Sequence, residues 1–209
     1  MKQSLRAGIA VYNAGATHAA HDAWEDHWLD RPEGTDDERL LHGLIQFTAA
    51  VYHADRRNWS GAVGLAESAQ TYLADLPASY RGVDLTTVRQ YLHALEVDPE
   101  RIERAAPPRL NYNGTPLVAA DLSVEEIVIA AETIAEDSES YDEQIIEQAA
   151  DYARQEVDTN QTEFIGLLTT FVDEATHRGI VYDRVAAKVE RRQQKQQDVA
   201  GLFEPRDSE

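Results

Sequence analysis

The stretch Thr35–Arg57, TDDERLLHGLIQFTAAVYHADRR, decides the fold. Thr35 and Glu38 stand at capping-box spacing, so a helix starts there. Leu40, Leu41, Leu44, Ile45, Phe47, Val51 and Tyr52 then recur with helical period and surround much of that helix. A helix apolar on most sides belongs at the centre of a bundle. On its N-terminal side, a helix is expected from about Thr17 to Leu29, ending before Arg31-Pro32, because a residue preceding proline is pushed out of the helical region. Further back, Leu5, Ile9 and Tyr12 form an amphipathic pattern that Gly15 interrupts. On the C-terminal side, a helix from about Ser60 to Leu76 stops at Pro77, and Asp84 caps a fifth through Val88, Leu92 and Leu95. Asp98-Pro99-Glu100 starts another short helix, with proline at the first helical position.

The texture changes at Pro107-Pro108 and Asn113-Gly114-Thr115-Pro116, which mark a loop or a small hairpin built on Asn-Gly. This is the expected boundary between a helical domain over 1–118 and a helical extension over 119–200, with a frayed tail over 201–209. In the extension, Ser123 and Glu126 repeat the capping-box spacing, and helical patterns cover roughly 140–157, 160–176 and 180–198, with Gly179 breaking the last pair. No strand-period segment of any length appears. The expected fold is all-α: a compact multihelical domain of stacked antiparallel helix hairpins, with a C-terminal helical extension. Ala10-Val11-Tyr12 recurs as Ala50-Val51-Tyr52, each copy leading into a turn and a second helix, which supports stacked hairpins.

Composition bounds the function. The chain has 209 residues, with 19 Lys+Arg against 38 Asp+Glu and a formal charge of −19. Such a charge repels phosphate backbones and argues against nucleic-acid binding. The basic cluster from Lys188 to Lys195 reads as a solvated helix end. Hydrophobic residues make up 43% of the chain, enough for a core, yet no window approaches the ~20 apolar residues of a membrane span. The first residues, MKQSLRAGIAVYNAG, lack the apolar run of a secretory signal, so a soluble cytoplasmic protein is expected. With no cysteine there is no disulfide and no thiolate chemistry. Only Lys2, Lys188 and Lys195 are lysines; the other basic residues are arginines. A carboxylate-rich, lysine-poor surface suits concentrated salt, where a Debye length of about 3 Å screens self-repulsion, and implies a halophile's cytoplasm.

The segment His18-Ala19-Ala20-His21-Asp22-Ala23-Trp24-Glu25-Asp26-His27-Trp28 is the richest in chemistry. His21 and Glu25 share a helix face at i, i+4, as do Trp24 and Trp28, with His18 on a neighbouring row. On the next helix His42, Gln46, Ala49 and His53 form one stripe. The loop between the two helices centres near Glu33, so the helices should pack antiparallel, with Glu25 opposite Leu41 or His42 and His21 opposite Ile45 or Gln46. His21, Glu25, His42 and Gln46 would then converge, and His53 would approach Tyr12 and Asn13. Two imidazoles and a carboxylate (His21, His42, Glu25) suit a divalent metal, and a His–Glu pair suits an oriented base in a metal-dependent hydrolase. The same groups also suit a buried polar network that fixes helix register, or a small-ligand pocket. That network or pocket leads, ahead of an enzyme. A third reading is a tetratricopeptide-like interaction scaffold, suggested by the repeat and by Asn58-Trp59-Ser60-Gly61-Ala62. Trp24 and Trp28 read as core anchors, and the acidic run from Glu132 to Glu143 as a solvated face.

Tyr12-Asn13-Ala14-Gly15, Ala20 to Trp28, Leu41-His42-Gly43-Leu44-Ile45-Gln46, Tyr52-His53, Asn58 and Gly61-Ala62 together resemble domain of unknown function family 309. Its members carry an aromatic-Asn-x-Gly start, a His-Glu-x-x-Glu-x-x-Trp helix and a Gln-Gly-Leu-Ile-Gln helix ending in His. The resemblance spans roughly 5–118, including Pro107-Pro108-Arg109-Leu110 and Gly114, and the halophilic composition suggests an archaeal-type member. Asp22 replaces the family's Glu, and His42 stands where the family has Gln, which would make any site needing His42 private to this chain. By position the resemblance carries over Asn13, His21, Glu25, Trp28, Gln46 and His53 as ligand-binding candidates. It implies a compact multihelical fold; the family's biochemical role is unassigned.

Overall fold

The computed structural model describes residues 1–159 and 161–201; the tail expected to fray falls outside these from residue 202 onward. Thr35 opens α3 (Asp36–Asp55) as its spacing requires, its hydroxyl accepting from the Glu38 N–H at 3.3 Å. The Glu38 carboxylate reaches back past Thr35 to the Gly34 N–H, also at 3.3 Å. Leu40, Leu41, Leu44 and Phe47 are almost fully buried, so α3 is indeed central. It lies against α2 (Thr17–Leu29), which keeps its expected bounds, and against α4 (Trp59–Leu73). Close approach at α4 needs Gly43, where an added Cβ would meet the Leu73 side chain at 2.4 Å. α1 (Lys2–Asn13) packs on α2 through Gly8 and the buried Trp24, whose indole would lie 2.2 Å from a Cβ at position 8.

Two small hairpins interrupt the helices. β1 (Ser79–Tyr80) and β2 (Val83–Asp84) form one; β3 (Asn111–Tyr112) and β4 (Thr115–Pro116) form the other; Val83 pairs with Tyr112 to give an antiparallel sheet in the order β1-β2-β3-β4. The second was expected from Asn113-Gly114, whose φ values of 52° and 90° are those of the turn that suits strand twist. The first was not. Its turn is Arg81-Gly82, with φ of 50° and 87°, and an arginine seldom adopts that conformation. What holds it is a bidentate pair from the Arg81 guanidinium to Asp37 on α3, both contacts at 2.8 Å. Asp84 then caps α5 (Leu85–Val97), accepting from the Thr86 and Thr87 N–H groups. Pro99–Glu103 is a short 3₁₀ helix.

Ser123 and Glu126 complete a reciprocal capping box at the start of α6 (Val124–Glu136). α7 (Glu143–Thr159), α8 (Glu163–Asp173) and α9 (Arg178–Gly201) follow. Gly179 does not break the last pair: it lies in the first turn of α9, and the chain leaves helix at Glu174–His177 instead. α6 packs on α1 and α2, and one hydrophobic cluster runs from Leu5 to Val189 across both parts of the chain. Arg6 on α1 reaches the Glu126 carboxylate at 2.9 Å. The described residues thus form an all-α multihelical protein of nine α-helices with one small sheet. No helix among them is long and apolar enough to cross a membrane.

Candidate metal centre

Helix α2 buries Ala19, Ala20, Ala23 and Trp24. Helical spacing then turns His18, His21, Asp22 and Glu25 onto the opposite side. There His18 and Asp22 meet Asp137, the residue that ends α6. His21 Nε2 lies 3.9 Å from Glu25 Oε2, and His18 Nδ1 lies 4.0 Å from Asp22 Oδ2. His18 Nδ1 is also in direct hydrogen-bond contact with Asp137 Oδ1. The two imidazoles lie parallel, ring centres 6.3 Å apart, and His18 leans on Tyr52 from α3 at 5.0 Å.

His21, Asp22 and Glu25 can offer ligand atoms all within 4.8 Å of one another, and so can His18, Asp22 and Asp137. Burial raises the Asp22 carboxyl above its ordinary value; His18 and His21 work against that rise, while Asp137 and Glu25 add to it. Among the described residues, no lysine, arginine or backbone N–H contacts the carboxylates of Asp22, Glu25 or Asp137. The cluster is rich in lone pairs and poor in donors.

The expected convergence of His21 and Glu25 with His42 does not occur. Neither three-residue set among the described residues includes His42. It sits at the turn end of the α2–α3 hairpin, with Nδ1 3.3 Å from Glu38 Oε1 and its ring between Tyr72, at 3.7 Å, and Trp28, at 4.4 Å. Trp28 donates its indole N–H to the same Glu38 oxygen at 3.0 Å. Burial alone would raise the Glu38 carboxyl, but hydrogen bonds from Trp28, the Gly34 N–H and His42 bring it below its ordinary value. A cleft of about 390 Å³ opens beside these residues, with Arg31 and Arg39 in its lining.

Asn13 and His53 find partners of their own. Asn13 clamps the second hairpin: its amide N–H₂ donates to the Leu110 and Leu117 carbonyls, each at 2.9 Å, and its Oδ1 accepts from the Leu110 N–H at 2.7 Å. His53 meets Asn58, 2.6 Å from its Nδ1, and Asn58 caps α4 through the Gly61 N–H. Gln46 is half-buried and makes no side-chain hydrogen bond among the described residues.

Reading the sequence alone missed Asp137 and Glu38. Asp137 stands 119 residues from His18, within an acidic run that reads as solvated, so no spacing pointed to it. Glu38 had a visible signal, its i, i+4 relation to His42, but its capping role absorbed it.

Residues 5–65 match the family model described as "Domain of unknown function (DUF309)". An uncharacterized protein of Aquifex aeolicus (strain VF5) is 28% identical over 110 residues, which is 52% of this chain and 32% of that protein. The matched stretch spans about a third of the relative's length. The family match contains His18, His21, Asp22 and Glu25 and ends before Asp137. The part of the chain from α1 into α4, which carries the imidazole–carboxylate ridge of α2, is thereby similar to the family of unknown function DUF309.

Proposed function

We propose that this protein binds a divalent cation at His21, Asp22 and Glu25. One observation carries the reading: three groups of metal-ligating type, on a single helix, offer atoms within 4.8 Å of one another. One imidazole and two carboxylates suit a borderline divalent ion such as Mn²⁺ or Zn²⁺. Because α2 is fixed by its buried face, the three side chains start from one rigid backbone. His21 and Glu25 are 30% and 46% exposed, so an ion there keeps positions open to solvent. The formal charge of −19 draws cations toward the surface.

Support for the other readings is thinner. The Glu38 centre fits a structural network, because its carboxylate is already occupied by N–H donors. A scaffold needs a continuous apolar groove, whereas the exposed large hydrophobics (Leu29, Val97, Val157, Ile180) are scattered over four helices. A hydrolase would use a water in an open position of the same centre, which makes it an elaboration of cation binding. A halophile's cytoplasm remains the setting that we propose.

Protein purified without an affinity tag and stripped with chelator, then titrated with Mn²⁺ or Zn²⁺, tests the reading. A ligand at 100 times its Kd adds about 2.7 kcal/mol of stability. For a chain of this size that corresponds to a melting temperature about 5–10 °C higher. His21→Ala combined with Glu25→Gln should remove most of that rise. A wild-type melting temperature unmoved by either ion, with no heat of binding, ends the proposal.

A further inference from the structure

We infer that α2 holds a second divalent-cation site, formed by His18, Asp22 and Asp137, which shares Asp22 with the first and ties α2 to the end of α6. The inference rests on the cation reading of His21, Asp22 and Glu25, since Asp22 belongs to both sets.

The geometry comes from two helices. His18 lies in the first turn of α2 and Asp137 at the C-terminal cap of α6, and those helices pack on each other. The two side chains meet in a hydrogen-bond contact between His18 Nδ1 and Asp137 Oδ1, with Asp22 Oδ2 at 4.0 Å from the same nitrogen. Three ligand atoms within 4.8 Å of one another need small side-chain shifts to close around an ion whose bonds are about 2.0–2.2 Å long. The His18 ring is already steadied, leaning on Tyr52 and lying parallel to His21. Asp22 stands between the sets, and a carboxylate with two oxygens can serve two ions. Charge favours two ions over one. Asp22, Glu25 and Asp137 bring three carboxylates against two imidazoles, and no arginine or lysine among the described residues contacts them.

The two sites also differ in where their residues come from. His21, Asp22 and Glu25 all lie within the stretch matched by the family model, whereas Asp137 lies beyond it. The second ion would join the family-like part of the chain to the helices that follow.

Mn²⁺ titration of the full chain, followed by calorimetry and by electron paramagnetic resonance, tests this. Two Mn²⁺ per chain with a spin-coupled spectrum are expected. Asp137→Asn and, separately, His18→Gln should each reduce the count to one and abolish the coupling. Both are exposed positions, and an unchanged melting temperature in chelator confirms folding of each variant. One ion per chain, retained in Asp137→Asn and lost in Glu25→Gln, overturns the second site and leaves the first standing. One ion lost in Asp137→Asn and retained in Glu25→Gln does the reverse. No bound ion removes both.

Discussion

The α2–α3 hairpin carries a cluster of imidazoles and carboxylates at each end, and the two differ in their supply of N–H donors. At the turn end, Glu38 accepts from the Trp28 indole, the Gly34 backbone and His42, and its carboxyl is held below the ordinary range. At the far end, the groups that contact Asp22, Glu25 and Asp137 among the described residues are the imidazoles of His18 and His21, and burial pushes the Asp22 carboxyl upward. The residue types are the same. A carboxylate whose lone pairs are filled by an indole and a backbone N–H held in the fold stabilises that fold, whereas carboxylates crowded together with only imidazoles beside them stabilise a bound cation. Counting donors therefore separates the two ends more sharply than the i, i+4 spacing they share.

Breaking the donor-rich end should have the largest effect. Glu38→Ala removes a buried carboxylate and leaves the Trp28 and Gly34 N–H groups and one His42 nitrogen without their acceptor beside the cleft, so urea unfolding should show a loss of about 3 kcal/mol. A loss under 1 kcal/mol would mean that water replaces the carboxylate freely and that the donor count is uninformative. Asn13 is of the same kind, its amide filled by backbone on both sides of the second hairpin. Asn13→Ala should cost about 2 kcal/mol by the same measurement and leave cation binding untouched. If it abolished cation binding instead, the pairing of Asn13 with the structural end would be wrong.

Helix boundaries were largely legible because caps are local. Thr35, Asp84 and the Ser123–Glu126 box each act within three residues, and each sits where its spacing placed it. The antiparallel hairpin was legible too: Trp28 meets Glu38 and His42, and His18 meets Tyr52, near the register that a loop centred on Glu33 requires. The partner of His42 was not. The expected partners lay across the hairpin, yet the closest carboxylate is Glu38, one turn back on its own helix. On α2 the need to bury Ala20, Ala23 and Trp24 fixes the helix's rotation and leaves His21 and Glu25 half-exposed. The Arg81-Gly82 turn escaped for a similar reason, since the force that holds it is an ion pair to Asp37, 44 residues away. Asp137 is the extreme case, joined to His18 only by packing of α6 on α2.

Acid sharpens the comparison with a smaller effect. Glu38 has a folded-state pKa below its ordinary 4.5, so the native state releases the proton more readily than the unfolded chain does. Its contribution is therefore fully present above about pH 4.5 and is lost as pH falls through the folded value. The wild type should lose part of its advantage over Glu38→Gln between pH 6 and pH 3, read as converging urea midpoints. Curves that stay parallel over that window would show that Glu38 does not differ between folded and unfolded states.

The smallest effect on the metal-free protein belongs to the donor-poor end. His21 is part-exposed, and it pairs with Glu25 at 3.9 Å, so His21→Ala in chelator should change stability by no more than about 0.5 kcal/mol. That near-silence is informative because the same substitution should erase most of the stabilisation that Mn²⁺ or Zn²⁺ gives the wild type. A structural histidine behaves the opposite way, costing stability with or without the ion. If His21→Ala lowered the unfolding midpoint as much as Asn13→Ala does, and by the same amount with and without metal, the donor-poor end would be a second structural network and the contrast between the two ends would disappear.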